Sequence, residues 1–195
     1  SLVATVQDAM KEIFDNGTCI VYPAGNGLSG YSCPSGTSGS AGPYAPIGPF
    51  FPSYDERVII VAGTDRDDHH QHYNPSDPLD EWTQSHFPEV DICAPSWDLM
   101  GSTPTGCTSS WPYYGSNGGT SFASPIVAGI CGLILSIQPC LGAEDVQAII
   151  KATADPVVDA ANYPGMLGAG RINAYQACLM AQNYGHYSPI LLIRQ

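Results

Sequence analysis

The residue best placed to do chemistry is a serine that follows two glycines and opens an apolar helical segment. Residues 118–125 read GGTSFASP, with Ser121 where the helical pattern begins. Backbone N–H groups at a helix N-terminus have no intrahelical partner, and the helix dipole favours negative charge there. An alkoxide or tetrahedral oxyanion at Ser121 would therefore be stabilised. An isolated serine before a helix would more simply be an N-cap, but the whole octapeptide favours a nucleophile.

The elements that must position this serine alternate between helical and extended patterns. Apolar spacing predicts helices over 2–14, 121–137, 143–152 and 171–181, and short buried strands over 18–22, 57–64 and 90–93. The order predicts an α/β fold with a mainly parallel, doubly wound sheet and helices on both faces. The helix at 121–137 is apolar nearly all round, so we expect it to be central and buried.

Composition sets limits on the class of protein. The chain has 195 residues, 44% of them hydrophobic, which suits one domain with a real core. Six basic residues stand against eighteen acidic ones, for a net charge of −12. This balance argues against nucleic-acid binding and against anionic membrane surfaces. No uninterrupted apolar run approaches the roughly 18 to 20 residues of a membrane span, and no signal peptide is expected at residue 1.

Seven cysteines are many for a chain of this size, and none forms a CxxC pair. Together with the acidic, loop-rich composition they predict a secreted protein with some disulfides. Cys140 and Cys178 lie at the ends of two helices expected to pack together, which makes a bridge between them plausible. Cys33 and Cys107 are loop candidates for bridges elsewhere. Cys19 and Cys131 are equally well read as buried free thiols that act as small hydrophobes.

Four segments resemble one family. Residues 119–129 read GTSFASPIVAG, which resembles the nucleophile motif G-T-S-x-A-x-P-x-x-A-G of the subtilisin-like serine proteases (subtilases). The end of VYPAGN, at residues 21–26, resembles that family's A-A-G-N turn. VDICAP at 90–95 resembles its V-D-x-x-A-P strand, and LGAGRINA at 167–174 resembles the segment that opens its last helix. The resemblance spans almost the whole chain.

The resemblance implies roles for particular residues. Ser121 would be the nucleophile, and the side chain of Asn26 would donate to the oxyanion together with the backbone N–H of Ser121. Gly25 and Thr120 would contribute to substrate binding. Residues 1–195 would be the C-terminal portion of one catalytic domain, with loop insertions at 28–56 and 66–88. The implied substrate is a peptide or protein, the chemistry needs no cofactor, and the setting is secreted or cell-surface, in bacteria.

The family's catalytic aspartate and histidine have no counterpart here. The only Asp-x-Gly sequence, at residues 15–17, follows a helix, and no histidine precedes a glycine. A serine without a base is a weak nucleophile. We therefore expect an upstream segment, present as a second chain cleaved from the same precursor, to supply both residues. An isolated fragment is one alternative, and a catalytically inactive surface or assembly module with the subtilase fold is another.

A polar stretch after the second strand could bind a metal. Asp65, Asp67 and Asp68 suit calcium, whereas His69, His70 and His72 would suit zinc or copper. The alternative is a solvated loop. Subtilases often carry structural calcium, so the resemblance allows a calcium site here, but no EF-hand pattern is present.

Overall fold

The computed structural model describes residues 2–27, 56–70, 83–102 and 114–187. They form four α-helices, seven short strands and one 3₁₀ turn at Ala160–Asn162. The helices are α1 Leu2–Asp15, α2 Thr120–Ile137, α3 Ala143–Ala152 and α4 Ala174–Tyr187. The strands are β1 Ile20–Pro23, β2 Asn26–Gly27, β3 Val58–Thr64, β4 Thr83–Gln84, β5 Ile92–Pro95, β6 Leu99–Ser102 and β7 Tyr114–Asn117.

The centre of the fold is a parallel sheet with the strand order β1-β3-β5. Ile20 is opposite Val58 in the first pair, and Val61 is opposite Ile92 in the second. Every residue of β3 is buried, as a central strand covered on both faces requires. The three strands predicted from the sequence are these three, each shifted by one or two residues. The predicted α/β fold with a mainly parallel sheet is confirmed.

Alternate residues of β3 enter two separate apolar cores. Ile59 and Val61 pack into the larger core, which α2, α3 and α4 cover. Val58, Ile60 and Ala62 point to the opposite face, where they share a second core with Met10 of α1. Since successive side chains of a strand point to opposite faces, one strand can serve both cores. Helices therefore lie on both faces of the sheet, as predicted for a doubly wound fold.

Helix α2 is less buried than its sequence predicts. One face packs against β1, β3, β5 and α4. On the other face Phe122 is 38% exposed and Leu133 is 51% exposed, and methyl groups added at Gly129 and Gly132 would meet open space. The prediction of a wholly buried helix is therefore wrong for the described part of the chain. The physical reason is that no described element covers this second face.

The same helix corrects the expectation about membrane-length segments. Taken whole, α2 is long and apolar enough to cross a membrane, judged by length and composition alone. Gly129 and Gly132 interrupt the apolar run within this helix, so no unbroken apolar run of that length is present in the sequence. Its buried face forms the larger core with the sheet, and this is the packing of a core helix in a globular domain.

Two segments for which no helix or strand was predicted contain further structure. The stretch 96–119 holds the antiparallel pair β6 and β7, and residues 83–84 form β4, which pairs with β2. The polar stretch after β3 is not simply solvated, since His70, Ser85 and His86 are buried. Residues 28–55 and 71–82 lie outside the described residues, so the two proposed insertions stay predictions.

The C-terminal motif extends the edge of the sheet before it becomes a helix. The N–H of Cys93 donates to the carbonyl of Gly170 at 2.7 Å, and the N–H of Ile172 donates back to the carbonyl of Cys93 at 2.8 Å. A Cβ at Gly170 would lie 2.2 Å from the carbonyl oxygen of Asp155, so only glycine fits there. The helix predicted from residue 171 consequently begins at Ala174.

The predicted bridge between Cys140 and Cys178 is wrong in this structure. Both residues carry free thiols: Cys140 is exposed in the turn after α2, and Cys178 is half-buried in α4. The packing of these helices does not join their sulfur atoms. Cys19, Cys93 and Cys131 are also free. Cys33 and Cys107 lie outside the described residues.

Candidate active site

The N-terminus of α2 is built by a glycine that no other residue could replace without strain. Gly119 caps the helix with φ 116° and ψ 161°, a backbone conformation that residues with a Cβ rarely adopt. Its N–H donates to the carbonyl of Ser96 at 2.7 Å, which anchors the start of the helix to the end of β5. Ser121 is the second residue of α2 and is exposed. It is therefore not the N-cap, and its hydroxyl is accessible.

Asn26 lies beside the same helix start, at the end of the turn that follows β1. Its Oδ1 accepts the backbone N–H of Thr120 at 2.9 Å and the Thr120 hydroxyl at 3.3 Å. Because both partners are donors, the amide oxygen must point to Thr120. The Nδ2 of Asn26 is then the end of the amide that can donate to another group.

Thr120 supports the positions of both Asn26 and Gly25. Its side chain is fully buried, and its Oγ1 accepts the backbone N–H of Gly25 at 3.0 Å while donating to Asn26. Gly25 has φ 100°, a left-handed conformation that turns the chain after β1. The predicted substrate-binding role of Gly25 and Thr120 stays a prediction. The contacts of Thr120 favour a positioning role instead.

The first backbone N–H groups of α2 differ in whether they have a hydrogen-bond acceptor. The N–H of Thr120 donates to Asn26, and the N–H of Phe122 donates to the carbonyl of Gly119 at 2.9 Å. The N–H of Ser121 has no acceptor among the described residues. Among the described groups, two donors at the start of α2 thus have no acceptor, namely the N–H of Ser121 and Nδ2 of Asn26. Together with the positive end of the helix dipole, they can receive an oxyanion.

Two buried histidines of the described residues pack against each other. His70 and His86 are buried, with Nε2 of His70 3.1 Å from Nδ1 of His86 and with both rings packed against Tyr163. Nδ1 of His70 lies 2.9 Å from the carbonyl oxygen of Gly63, to which it can donate. Among the side chains that the structure describes, no histidine or carboxylate hydrogen-bonds to Ser121. His72 lies outside those residues.

The three carboxylates proposed for a metal have other partners. Oδ1 of Asp65 accepts the N–H groups of Asp67 and His69, both at 2.9 Å, which closes a tight turn. Oδ1 of Asp68 is 2.6 Å from Nε of Arg171. Within the described ranges, no three metal-ligating side chains converge. The geometry gives the metal interpretation no support, and structural calcium stays a prediction.

One residue of this framework was not predicted from the sequence. Ser96 is fully buried, and its N–H and hydroxyl both donate to the carbonyl of Thr64, at 2.8 and 3.1 Å. The carbonyl of Ser96 in turn accepts the hydrogen bond from the N–H of Gly119. The available signal was its position directly after VDICAP, the third matched segment.

Comparisons with known proteins agree with this geometry. The model of the Subtilase family matches residues 1–178. Thermitase from Thermoactinomyces vulgaris is 30% identical over 172 residues, which cover 88% of this chain and 48% of thermitase. An extracellular protease of Xanthomonas campestris pv. campestris is 31% identical over 186 residues, covering 94% of this chain and 27% of that protein.

Solved structures share the fold. A structure described as proteases from Pseudoalteromonas arctica aligns with a TM-score of 0.63 at 23% identity, covering 93% of this chain and 48% of that one. The chain thus spans about half the length of thermitase and of the Pseudoalteromonas protease, and about a quarter of the Xanthomonas protein. The family match covers the segments that hold Asn26 and Ser121, and the parallel sheet with helices on both faces is the fold of these neighbours. This chain belongs to the subtilase family of serine proteases.

Proposed function

We propose that this chain supplies the nucleophile and the oxyanion hole of a secreted serine endopeptidase. The observation that carries the proposal is the start of α2. There Ser121 is exposed, its N–H has no acceptor among the described residues, and Thr120 orients the amide of Asn26. The catalytic aspartate and histidine would come from a segment outside this sequence, upstream in the same precursor or present as a second chain.

The chemistry follows from the positions of these groups. Oγ of Ser121 attacks the carbonyl carbon of a peptide bond and passes its proton to the histidine of the supplied segment. The carbonyl oxygen becomes an oxyanion, which accepts hydrogen bonds from Nδ2 of Asn26 and the N–H of Ser121. The intermediate collapses to an acyl-enzyme as the amine leaves with that proton. Water then releases the acyl group by the same steps.

The exposed face of α2 supports the docking of a further segment beside the nucleophile. Ser121, Ala128 and Gly132 recur at helical spacing on this face, and Phe122 and Leu133 flank them. An exposed apolar face of this kind marks an interaction site. The missing methyl groups at Gly132 would let another backbone approach closely. A segment packed there would place its own side chains next to Ser121.

The edge of the parallel sheet supports the same proposal. β1 has β3 as its one strand partner in the described part of the chain, and all four residues of β1 are half-buried. A strand at the edge of a sheet can pair with a further strand. We propose that the supplied segment continues the sheet beyond β1.

The two relatives named above include an extracellular protease, and this supports secretion for the present protein.

Active-site labelling of the native protein tests the nucleophile. A fluorophosphonate should label Ser121, and Ser121→Ala should abolish the labelling. Ser136→Ala is the matched control, because Ser136 is an exposed serine on the same helix whose hydroxyl donates to the carbonyl of Leu133 at 2.7 Å. An unlabelled Ser121, in a sample whose mass spectrum shows the aspartate and histidine segment, would favour the non-catalytic module instead.

A charge on the exposed face of α2 tests the docking. Leu133→Glu should slow fluorophosphonate labelling at least about tenfold, because a buried carboxylate would oppose the packing of the supplied segment. Leu179→Glu is the control, since Leu179 is a similarly exposed leucine on α4. Equal labelling of the two variants would contradict docking on this face without touching the assignment of Ser121.

A further inference from the structure

Two imidazole rings that take no part in the proposed reaction form a buried, hydrogen-bonded pair. Nε2 of His70 lies 3.1 Å from Nδ1 of His86, and the two residues are 2% and 6% exposed. Nδ1 of His70 lies 2.9 Å from the carbonyl oxygen of Gly63, and Tyr163 packs against both rings. A carbonyl oxygen only accepts, so Nδ1 of His70 carries the proton and the neutral ring accepts at Nε2. Nδ1 of His86 is therefore the donor within the pair.

The segment that carries His86 is bound directly to the turn that carries Asn26. The N–H of Ser85 donates to the carbonyl of Gly25 at 3.0 Å, and Ser85 is buried. Gln84 of β4 pairs with Asn26 of β2. Both strands are two residues long, so they have few ladder hydrogen bonds of their own. The side chain of His86, the next residue after Ser85, attaches this segment to His70 and through it to the end of β3.

We propose that the His70–His86 pair positions Asn26 in the oxyanion hole, and that it does so only while both rings are neutral. This inference rests on the proposed function, because it assigns a support to the same site. Hydrogen bonds lead from the carbonyl of Gly63 through both rings, and the segment 83–86 carries the connection to Asn26. The two histidines are positioning residues, since among the described side chains neither of them hydrogen-bonds to Ser121.

Protonation opposes this arrangement at either ring. A proton added to Nε2 of His70 would make that atom a donor facing the N–H of His86, and the hydrogen bond between the rings would be lost. A proton added to Nε2 of His86 would keep that bond but would place a positive charge on a buried ring. A segment that has opened to water bears neither cost. Acid should therefore favour opening at pH values below about 6.5, the ordinary pKa of histidine.

The ionisable groups around the pair do not remove this conflict. Oδ1 of Asp159, in the segment before the 3₁₀ turn, accepts the backbone N–H of His70 at 2.8 Å. Its charge attracts an added proton but does not restore the acceptor that His86 needs. Burial raises the pKa of Tyr163 and raises that of Cys93 to about 12, so both stay neutral in acid. The other ionisable side chains close in sequence to the two rings all reach solvent in part: Asp65, Arg66, Asp67, Asp68, His69 and Glu89.

Hydrogen exchange of the native protein tests the pair without relying on turnover, which acid also lowers through a catalytic histidine. Protection is the measured exchange rate of an amide relative to its intrinsic rate at the same pH. Protection at Ser85 and Gly25 should fall by about tenfold for each pH unit below about 6.5, the slope for uptake of one proton on opening. The amides of β3 should keep their protection. Constant protection at Ser85 between about pH 5 and 8 would overturn the proposal, and so would an equal loss in β3.

Variants of His86 separate its hydrogen bond from its bulk. His86→Leu keeps a similar volume without a donor, and it should lower kcat and the protection of Ser85 by about tenfold or more at pH 8, with little change in KM. His86→Asn, which can donate from the place of Nδ1, should restore most of both. His69→Leu is the matched control, because His69 is adjacent to His70 but partly exposed, and it should change neither quantity. Wild-type kcat in His86→Leu would contradict the positioning role.

A double variant shows whether the pair acts through Asn26. In an Asn26→Ala background, His86→Leu should lower kcat no further, because the donor that the pair positions is already gone. Losses that multiply would show that His86 acts elsewhere and would overturn the proposal. A wild-type protein that neither reacts with a fluorophosphonate nor hydrolyses peptides would refute the proposed function, whereas exchange at Ser85 would still decide whether the pair holds this turn. The wild-type exchange profile stands whether or not a variant folds.

Discussion

The backbone N–H of Thr120 donates to Oδ1 of Asn26 at 2.9 Å, across 94 positions of the chain. This hydrogen bond joins the turn after β1 to the first residue of α2. It fixes which end of the Asn26 amide can donate. The geometry of the proposed oxyanion hole therefore depends on residues that would not themselves contact the oxyanion.

Replacing Asn26 tests the side-chain donor. Asn26→Ala should lower kcat by roughly 10²–10³, the magnitude known for this donor in subtilisin, with little change in KM. The reason is that the donor acts on charge that develops only in the transition state. Asn26→Asp is the sharper variant, because a carboxylate can still accept the N–H of Thr120 but cannot donate. Steady-state kinetics that show near wild-type kcat for Asn26→Asp would contradict the donor role.

A methyl group at Gly119 should disturb the same amide. Its Cβ would lie 3.1 Å from Nδ2 and 3.2 Å from Oδ1 of Asn26, so Gly119→Ala should reduce kcat by about tenfold or more as the amide shifts. Gly165→Ala is the matched control: Gly165 also has a positive φ, of 70°, but nothing lies within 4 Å of an added Cβ. Both variants carry a backbone cost of about 1–2 kcal/mol. Similar kcat values in the two would show that strain alone, and not contact with Asn26, is responsible.

Thr120 provides a test of positioning as distinct from catalysis. Thr120→Val leaves the N–H of Gly25 without its acceptor, and we expect a loss of about 1–3 kcal/mol in the free energy of unfolding. It should also lower kcat, because the hydroxyl no longer supports Asn26. Thr120→Ser keeps the hydroxyl and should restore most of kcat at a cost of about 1 kcal/mol for the lost methyl group. Urea unfolding and kinetics on both variants separate the two effects, and equal kcat values would argue against the supporting role.

Alkaline pH should destabilise the fold through Cys93. Burial, with a smaller contribution from the charge of Asp159, raises the pKa of this thiol from 9.0 to about 12. The folded state holds the proton more tightly than the unfolded chain. Stability is therefore unaffected below pH 9 and falls as the pH rises from 9 towards 12, by up to about 4 kcal/mol in total.

Urea unfolding between pH 8.5 and 10.5 measures this effect. Over that interval the wild type should lose about 2 kcal/mol more than Cys93→Ala. Tyr22, Tyr163 and Tyr184 also have raised pKa values, so both proteins should retain some downward slope. Cys140→Ala, at an exposed position, is the control and should match the wild type. Identical slopes for wild type and Cys93→Ala would show that this thiol does not titrate as a buried group.

Local sequence pattern determined much of the fold and the identity of the nucleophile. The predicted helix over 143–152 is α3 to the residue, and α2 differs from its prediction by one residue at its start. Both follow from apolar spacing at helical period, which is a property of the segment itself. Ser121 was found because a long motif surrounds it, and family membership follows from the same segments.

The strands and loops that the sequence missed depend on partners far along the chain. β2 and β4 are two residues each and exist because Asn26 pairs with Gln84. The polar stretch that holds His70 and His86 looks solvated, yet these residues are buried, because their hydrogen bonds to each other and to Gly63 replace those to water. A one-dimensional pattern cannot contain such pairings.

The tertiary structure alone decided how the site is held and which of its groups are accessible. The sequence named Asn26 and Thr120, but only the hydrogen bond between them shows that Thr120 orients the amide and that Nδ2 is left to donate. The sequence predicted an apolar helix. Only packing shows which face of α2 is covered and that Ser121 lies on the opposite, exposed face. Composition fixes how much apolar surface a chain must bury. Which neighbour buries it is a property of three-dimensional contacts, because those contacts join residues that sequence spacing does not relate.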